Sequence, residues 1–246
     1  MLNNRATRFF ISFMITAVWM GIIIVAASGE QPPRIPVMLG GIMPEGLIQG
    51  FTYLLFVFGM IEIYWLNSRA SREKDAFSLH LLPEKENWVL SVEDINQLKL
   101  NVQQVERSGR FYLTDLVKKC CTKYRLSKSS SEVLGLTDAQ IRIYQSEMES
   151  EQSFIRYVAW AIPSVGFIGT VIGIAASLGY TKDASTPEGI EKVTSMLAVA
   201  FDTTLVALIL SIFLMYAVHH LQRKQDALFL RINDYVIENL INRFYK

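Results

Sequence analysis

The sequence predicts an all-α integral membrane protein. Four transmembrane helices are expected, with a large helical cytoplasmic segment between the second and third, and long third and fourth helices that extend into the cytoplasm. Three observations predict this. Hydrophobic residues make up 51% of the 246 residues and the mean hydropathy is +0.26, more apolar than is usual for a soluble domain. Four apolar stretches each approach the roughly 20 residues that a helix needs to cross a bilayer. Basic residues near the span ends cluster on one side. Arg5 and Arg8, the long loop, and Arg223 with Lys224 lie there, against Arg34, Lys182 and Lys192 on the other. The positive-inside rule then puts both termini and the loop in the cytoplasm.

The first apolar run is Phe9 to Ala27, interrupted by Ser12 and Thr16. Ala26-Ala27-Ser28 resembles a signal-peptide cleavage region, but the run is longer than a typical signal core, which favours a retained span. Gly29 to Gly46 carries Pro32, Pro33, Pro36, Gly40, Gly41 and Pro44 and reads as a tight extracytoplasmic connection. The second span is Leu47 to Leu66. Tyr53, Tyr64 and Trp65 suit membrane–water boundaries, and Glu62 is read as interfacial rather than part of a conduction path.

Residues 67–156 form the polar segment, with 14 Lys/Arg and 13 Asp/Glu. Ser91-Val92-Glu93-Asp94 marks a helix start, running towards Arg125 with a break at Gly109. Ser127 to Ser131 reads as a loop, and Thr137-Asp138-Ala139-Gln140 as a second capping box. From there no breaker precedes Pro163, so one helix is expected to run from the cytoplasm into the third span, Tyr157 to Gly179. Thr181 to Lys192 is a short connector and Val193 to Val218 the fourth span. In the tail, Leu228, Ile232, Val236, Leu240 and Phe244 repeat every four residues, as in a helix packing on its own bundle. The expected divisions are a peripheral helix pair at 1–66, the cytoplasmic segment at 67–156, a pore-forming pair at 157–218 and a C-terminal helix at 219–246.

The third span is the most informative stretch. Trp160 to Tyr180 holds no charge, and Gly166, Gly169, Gly173 and Ala176 form a small-residue stripe that permits close helix packing. Thr170 is turned about 100° from Gly169, so its hydroxyl need not share the packing face. The fourth span carries Asp202, Thr203 and Thr204 inside an apolar run. Counting from the outer ends at ~1.5 Å per residue puts Thr170 and Thr204 at similar depth, where paired hydroxyls can hold water or pass a proton. The alternative is that each bonds back to its own helix. Asp202 must face water, a partner or a protonating environment, and two residues from Thr204 it points to a different face. One of the two would then face a neighbouring copy and the other a central pore.

No enzyme is predicted. There is no phosphate-binding loop, no H-E-x-x-H and no Cys/His cluster. Cys120 and Cys121 are read as reduced structural thiols, and His80, His219 and His220 are scattered. No cofactor is expected.

Pro163-Ser164-Val165-Gly166-Phe167-Ile168-Gly169-Thr170-Val171-Ile172-Gly173 resembles the MotA/TolQ/ExbB proton-channel family, whose pattern there is close to P-x-x-G-x-x-G-T-V-x-G. Ala200 to Leu208 resembles the family's second motif, and the likeness covers roughly the last 90 residues. It implies a homopentamer around a dimer of a single-span MotB/TolR/ExbD-like partner in the bacterial inner membrane. Flow of H⁺ or Na⁺ past a partner Asp would drive rotation of this stator or motor. Thr170 and Thr204 match the family's pore hydroxyls, and Pro163 its coupling proline. The sequence departs in three places. Val199 stands where ExbB and TolQ carry a Glu, and Asp202, one turn along, is the candidate substitute. Ala207 replaces a Gly, and the fourth span lacks a proline. Two spans before the loop look like MotA. The ion-pathway candidates are therefore Thr170, Thr204, Asp202 and Thr203, and the packing and coupling candidates Pro163, Gly166, Gly169 and Gly173. Two other classes compete. One is a membrane sensor or scaffold whose cytoplasmic helices bind a protein. The other is a small-solute transporter, weakened by the lack of an internal repeat.

Overall fold

The computed structural model describes residues 4–29, 32–42, 46–83, 89–106, 109–181 and 185–244. Pro44 and Lys182 lie outside the described residues. The chain divides into two compact units, Met1–Trp65 with Ser153–His219, and Leu66–Gln152 with His220–Lys246. Among the described residues, four helices are long and apolar enough to cross a membrane.

The first unit is built on those four helices. α1 is Arg5–Ala26, and it begins ahead of the apolar run because the Asn4 side chain accepts the Ala6 N–H at 3.1 Å. α3 is Gly46–Asp75. Between them the Gly/Pro-rich stretch is not a plain turn, because it holds a short helix, α2, Arg34–Met38. Its exit needs Gly40 at φ +99°, a conformation L side chains rarely adopt, and a Cβ there would also run into Gln49. The connector is clamped to α3, where Gln49 Nε2 donates to Met38 O at 2.5 Å and Tyr53 Oη to Leu39 O at 3.1 Å. Tyr53 is also a packing residue, buried with Ile23 and Val206.

α1 and α3 are also joined by charge. Arg8 Nε lies 2.6 Å from Glu62 Oε1, a second guanidinium nitrogen lies 3.1 Å from Oε2, and the Arg8 guanidinium stacks 4.3 Å from the Trp65 ring centroid. Both charged side chains are almost fully buried. Glu62 thus faces the neighbouring helix rather than water. The reason is a basic residue on the neighbouring helix that sequence distance concealed.

The second unit packs α4, Val92–Glu106, and α5, Tyr112–Ser127, with parts of two long helices, α6, Ser130–Gly179, and α7, Pro187–Asn239. The expected start of α4 holds: Asp94 N–H donates to Ser91 Oγ at 3.2 Å and Ser91 N–H to Asp94 Oδ2 at 2.9 Å. The second capping box does not. α6 already begins at Ser130, with Ser129 Oγ accepting from Glu132 N–H at 3.4 Å. Thr137 sits inside the helix and donates to Val133 O at 2.9 Å. The loop shrinks accordingly to a sharp turn at Lys128, where φ is 50°. The Thr181–Lys192 connector is shorter as well. Thr186 Oγ1 accepts from Gly189 N–H at 3.1 Å and Pro187 takes the first helical position, so the polar residues after it are the first turns of α7.

Leu228, Ile232, Val236, Leu240 and Phe244 are buried with residues of α4, α5 and α6, as their spacing required. Cys120 and Cys121 lie in the same core as free thiols. Burial pushes Cys120 up to about 11 and Cys121 up to about 12. Unfolded thiols titrate near 8.5. The folded chain therefore keeps protons that the unfolded chain gives up, so this stabilisation is complete below about pH 8.5 and is lost as pH rises towards 11–12. Thermal melts of the full chain in detergent are expected to show a Tm that falls between pH 8.5 and 11, and a Cys120→Ala/Cys121→Ala variant with a shallower fall. Equal slopes would contradict the assignment.

Candidate functional site

The glycine stripe faces α7. A Cβ on Gly166 would collide with the Ala207 methyl and sit 3.1 Å from Thr203 O. One on Gly169 would lie 2.6 Å from Thr203 Oγ1, and one on Gly173 2.7 Å from the Ala200 Cβ. As the glycine number rises from 166 to 173, its partner's falls from 207 to 200. The two helices therefore run antiparallel in one fixed register, with backbones closer than any side chain would allow. Small residues on both helices make this possible, Ala200 and Ala207 answering the glycines.

That register brings the hydroxyls together. Thr170 Oγ1 lies 2.9 Å from Ala200 O on the other helix, and Thr204 Oγ1 lies 2.9 Å from Gly166 O. The two Thr hydroxyls also touch each other. They have two protons for three contacts, so the bonds must alternate, and either hydroxyl can switch from carbonyl to neighbour. Thr203, almost fully buried, bonds back to Ala200 O at 2.8 Å and reaches Gly166 O at 3.5 Å. Of the three threonines, Thr203 makes the bond back to its own helix, while Thr170 and Thr204 bridge the helices. Thr170 sits beside the packing face and still reaches across. Thr170 and Thr204 are only half-buried, and Phe167, Val171, Phe201, Leu205 and Leu208 around them are exposed. The hydroxyl pair thus opens at the edge of the helix pair, on a surface that is otherwise apolar.

Asp202 is not part of this cluster. It faces the opposite side of α7, one turn from Val206, which packs with Ile23 of α1 and Tyr53 of α3. Its Oδ1 pairs with Arg34 of α2 at 3.0 Å. The carboxylate is paired with a cation of its own chain, a partner that the sequence reading did not name. Its Oδ2 is buried with no hydrogen-bond partner among the described residues. The two partners differ, for the Arg34 side chain is 62% exposed and that of Asp202 is 7% exposed. Removing Arg34 strands a buried charge, whereas removing the carboxylate returns an exposed guanidinium to water. Arg34→Ala is thus expected to destabilise the folded chain by on the order of 1–3 kcal/mol, and Asp202→Asn by clearly less. Urea or SDS titration of the two variants side by side checks this, and the reverse order would refute it.

Sequence reasoning missed Ser211. Pro163, inside α6, has no N–H and leaves the carbonyl four residues back, that of Ala159, without its helical donor. Ser211 of α7 supplies one, with Oγ donating to Ala159 O at 3.1 Å in a buried contact. The signal was present, since Ser211 lies seven residues after Thr204 and so on nearly the same face. Among the described residues no group of three or more His, Cys, Asp or Glu side chains is placed to hold a metal ion.

A family model described as the MotA/TolQ/ExbB proton channel family matches residues 110–234, just over half of the chain. The match takes in the glycine stripe, all three threonines, Pro163 and Ser211. No curated protein and no solved structure matches the chain.

Proposed function

We propose, from the premise that this chain belongs to the MotA/TolQ/ExbB proton channel family, that it is the ion-conducting subunit of a bacterial inner-membrane motor or stator complex. Both termini lie in the cytoplasm in this reading, following the positive-inside rule. Copies of the chain form a homopentamer around a dimer of a single-span MotB/TolR/ExbD-like protein. H⁺ or Na⁺ moves past an Asp of that partner, and the movement is converted to rotation or mechanical work in the envelope.

The observation that carries the proposal is the contact of the Thr170 and Thr204 hydroxyls at an open edge of the α6–α7 pair. An ion or hydrated proton crossing apolar surroundings needs oxygen ligands that cost little to rearrange. Two hydroxyls sharing two protons among three contacts are such ligands. They lack an acid, which the partner Asp would provide. Thr203 holds the register from within the interface. Asp202, neutralised by Arg34 on the far side of α7, belongs to the anchoring of the α1–α3 connector rather than to the path.

The test is direct. The chain, co-expressed with a single-span MotB/TolR/ExbD-like candidate partner, is purified from membranes. Ion entry is followed in the same cells with pH- and Na⁺-sensitive dyes. A copurifying single-span protein and entry of one of the two ions support the proposal. Ion entry no greater than in cells lacking both proteins would refute it.

A further inference from the structure

The Ser211 contact deepens that reading, and the inference rests on Thr170 and Thr204 being the ion path. We infer that Ser211 is a positioning residue: it replaces the hydrogen bond that Pro163 removes from α6, pins the break to α7, and so keeps Thr170 against Thr204.

A proline inside a helix removes one backbone bond and lets the helix hinge there. The carbonyl freed in this way, Ala159 O, is not left to water. It is held by a hydroxyl of the neighbouring helix at 3.1 Å. The surroundings are closed, because Ala159, Ile162 and Leu214 are buried and Ser211 is 9% exposed. No water access replaces the bond if the hydroxyl is lost.

The geometry gives the contact leverage. Thr170 lies seven residues beyond Pro163, about 10 Å along the helix. A swing of about 10° at the break would move the Thr170 hydroxyl by about 2 Å, beyond the range of a hydrogen bond. Thr204 and Ser211 stand two turns apart on one face of α7, so α7 is the ruler against which both ends of this part of α6 are set. The hydroxyl at one end fixes the hinge, and the hydroxyl at the other meets Thr170.

The test uses the assembled complex and two readouts. Ser211→Ala is expected to lower ion entry about tenfold at unchanged recovery of the complex, as expected for a displaced polar step, while Ser211→Thr, which keeps the hydroxyl, stays within about twofold of the parent. The second readout asks whether Ser211 acts through the proline. Ser211→Ala should lower the Tm of the purified complex by roughly 3–6 °C. In a Pro163→Ala background the restored N–H at 163 supplies the bond, and the drop should shrink to about 1 °C or less. Ion entry by Ser211→Ala within about twofold of the parent would overturn the inference. So would impairment of Ser211→Thr to the level of Ser211→Ala, or equal Tm drops in both backgrounds. A parent complex that passes neither ion would refute the ion-path reading instead, whatever the Tm cycle shows.

Discussion

Thr204→Val is expected to stop ion entry while the chain still folds and assembles. Valine replaces the hydroxyl by a methyl of nearly the same size, so the close approach of α6 and α7 at Gly166 and Gly169 is kept. The structural cost is one hydroxyl-to-carbonyl bond to Gly166 O, worth about 1 kcal/mol in a membrane helix pair. That carbonyl keeps its longer contact from Thr203. The functional cost is larger. Taking one oxygen ligand from an ion in apolar surroundings costs roughly 2–4 kcal/mol, or about thirty- to a thousandfold in rate. Thr204→Ser should remain within a few-fold of the parent, because the hydroxyl survives. Thr194→Val is the control, since Thr194 is exposed and bonds back to Ile190 O of its own helix. Parental ion entry by Thr204→Val in dye-loaded cells, with the complex present, would remove Thr204 from the path. The same loss in Thr194→Val would show that the change acts on insertion rather than on conduction.

What the sequence made legible follows from what periodicity encodes. Length and hydropathy marked the four spans, and three- and four-residue spacing marked the faces of Gly166, Gly169 and Gly173. Similar counts from the outer ends of the spans placed Thr170 and Thr204 at similar depth, and the structure joins them. Periodicity says which face a residue occupies, but not which helix will lie against that face. Asp202 pairs with Arg34, a residue 168 positions away. Nothing in either neighbourhood announces the other, so the partner of this acid is not legible in the sequence. Ser211 was hidden for a different reason. A single serine in an apolar run is unremarkable until the register shows it opposite the one carbonyl that Pro163 sets free. Thr137 misled because hydroxyl-x-x-Gln occurs both at helix starts and within helices, and the cap that formed at Ser129 lay just upstream.

The Arg8–Glu62 pair leads to the second large effect, on stability. Arg8→Met leaves the Glu62 carboxylate buried without the two guanidinium bonds at 2.6 and 3.1 Å. Breaking a buried pair by removing one partner costs on the order of 3–5 kcal/mol, because the remaining charge must be desolvated alone or take up a proton. The loss falls on the contact of α1 with α3, so it should appear as poor recovery of the chain from membranes and a lowered melting temperature in detergent. Removing both charges reverses the argument. An apolar pair of similar volume, Arg8→Met with Glu62→Leu, has no charge left to desolvate and should recover most of the stability of the parent. The recovery is not expected to be complete, since Arg8 also stacks on Trp65. Melting curves of the single and double variants decide it. A double variant no more stable than Arg8→Met alone would mean that the pair stabilises the fold by its own attraction. A double variant at or near the parent would mean that the pair sets only which helices meet, and leaves the strength of their packing to the apolar residues around it.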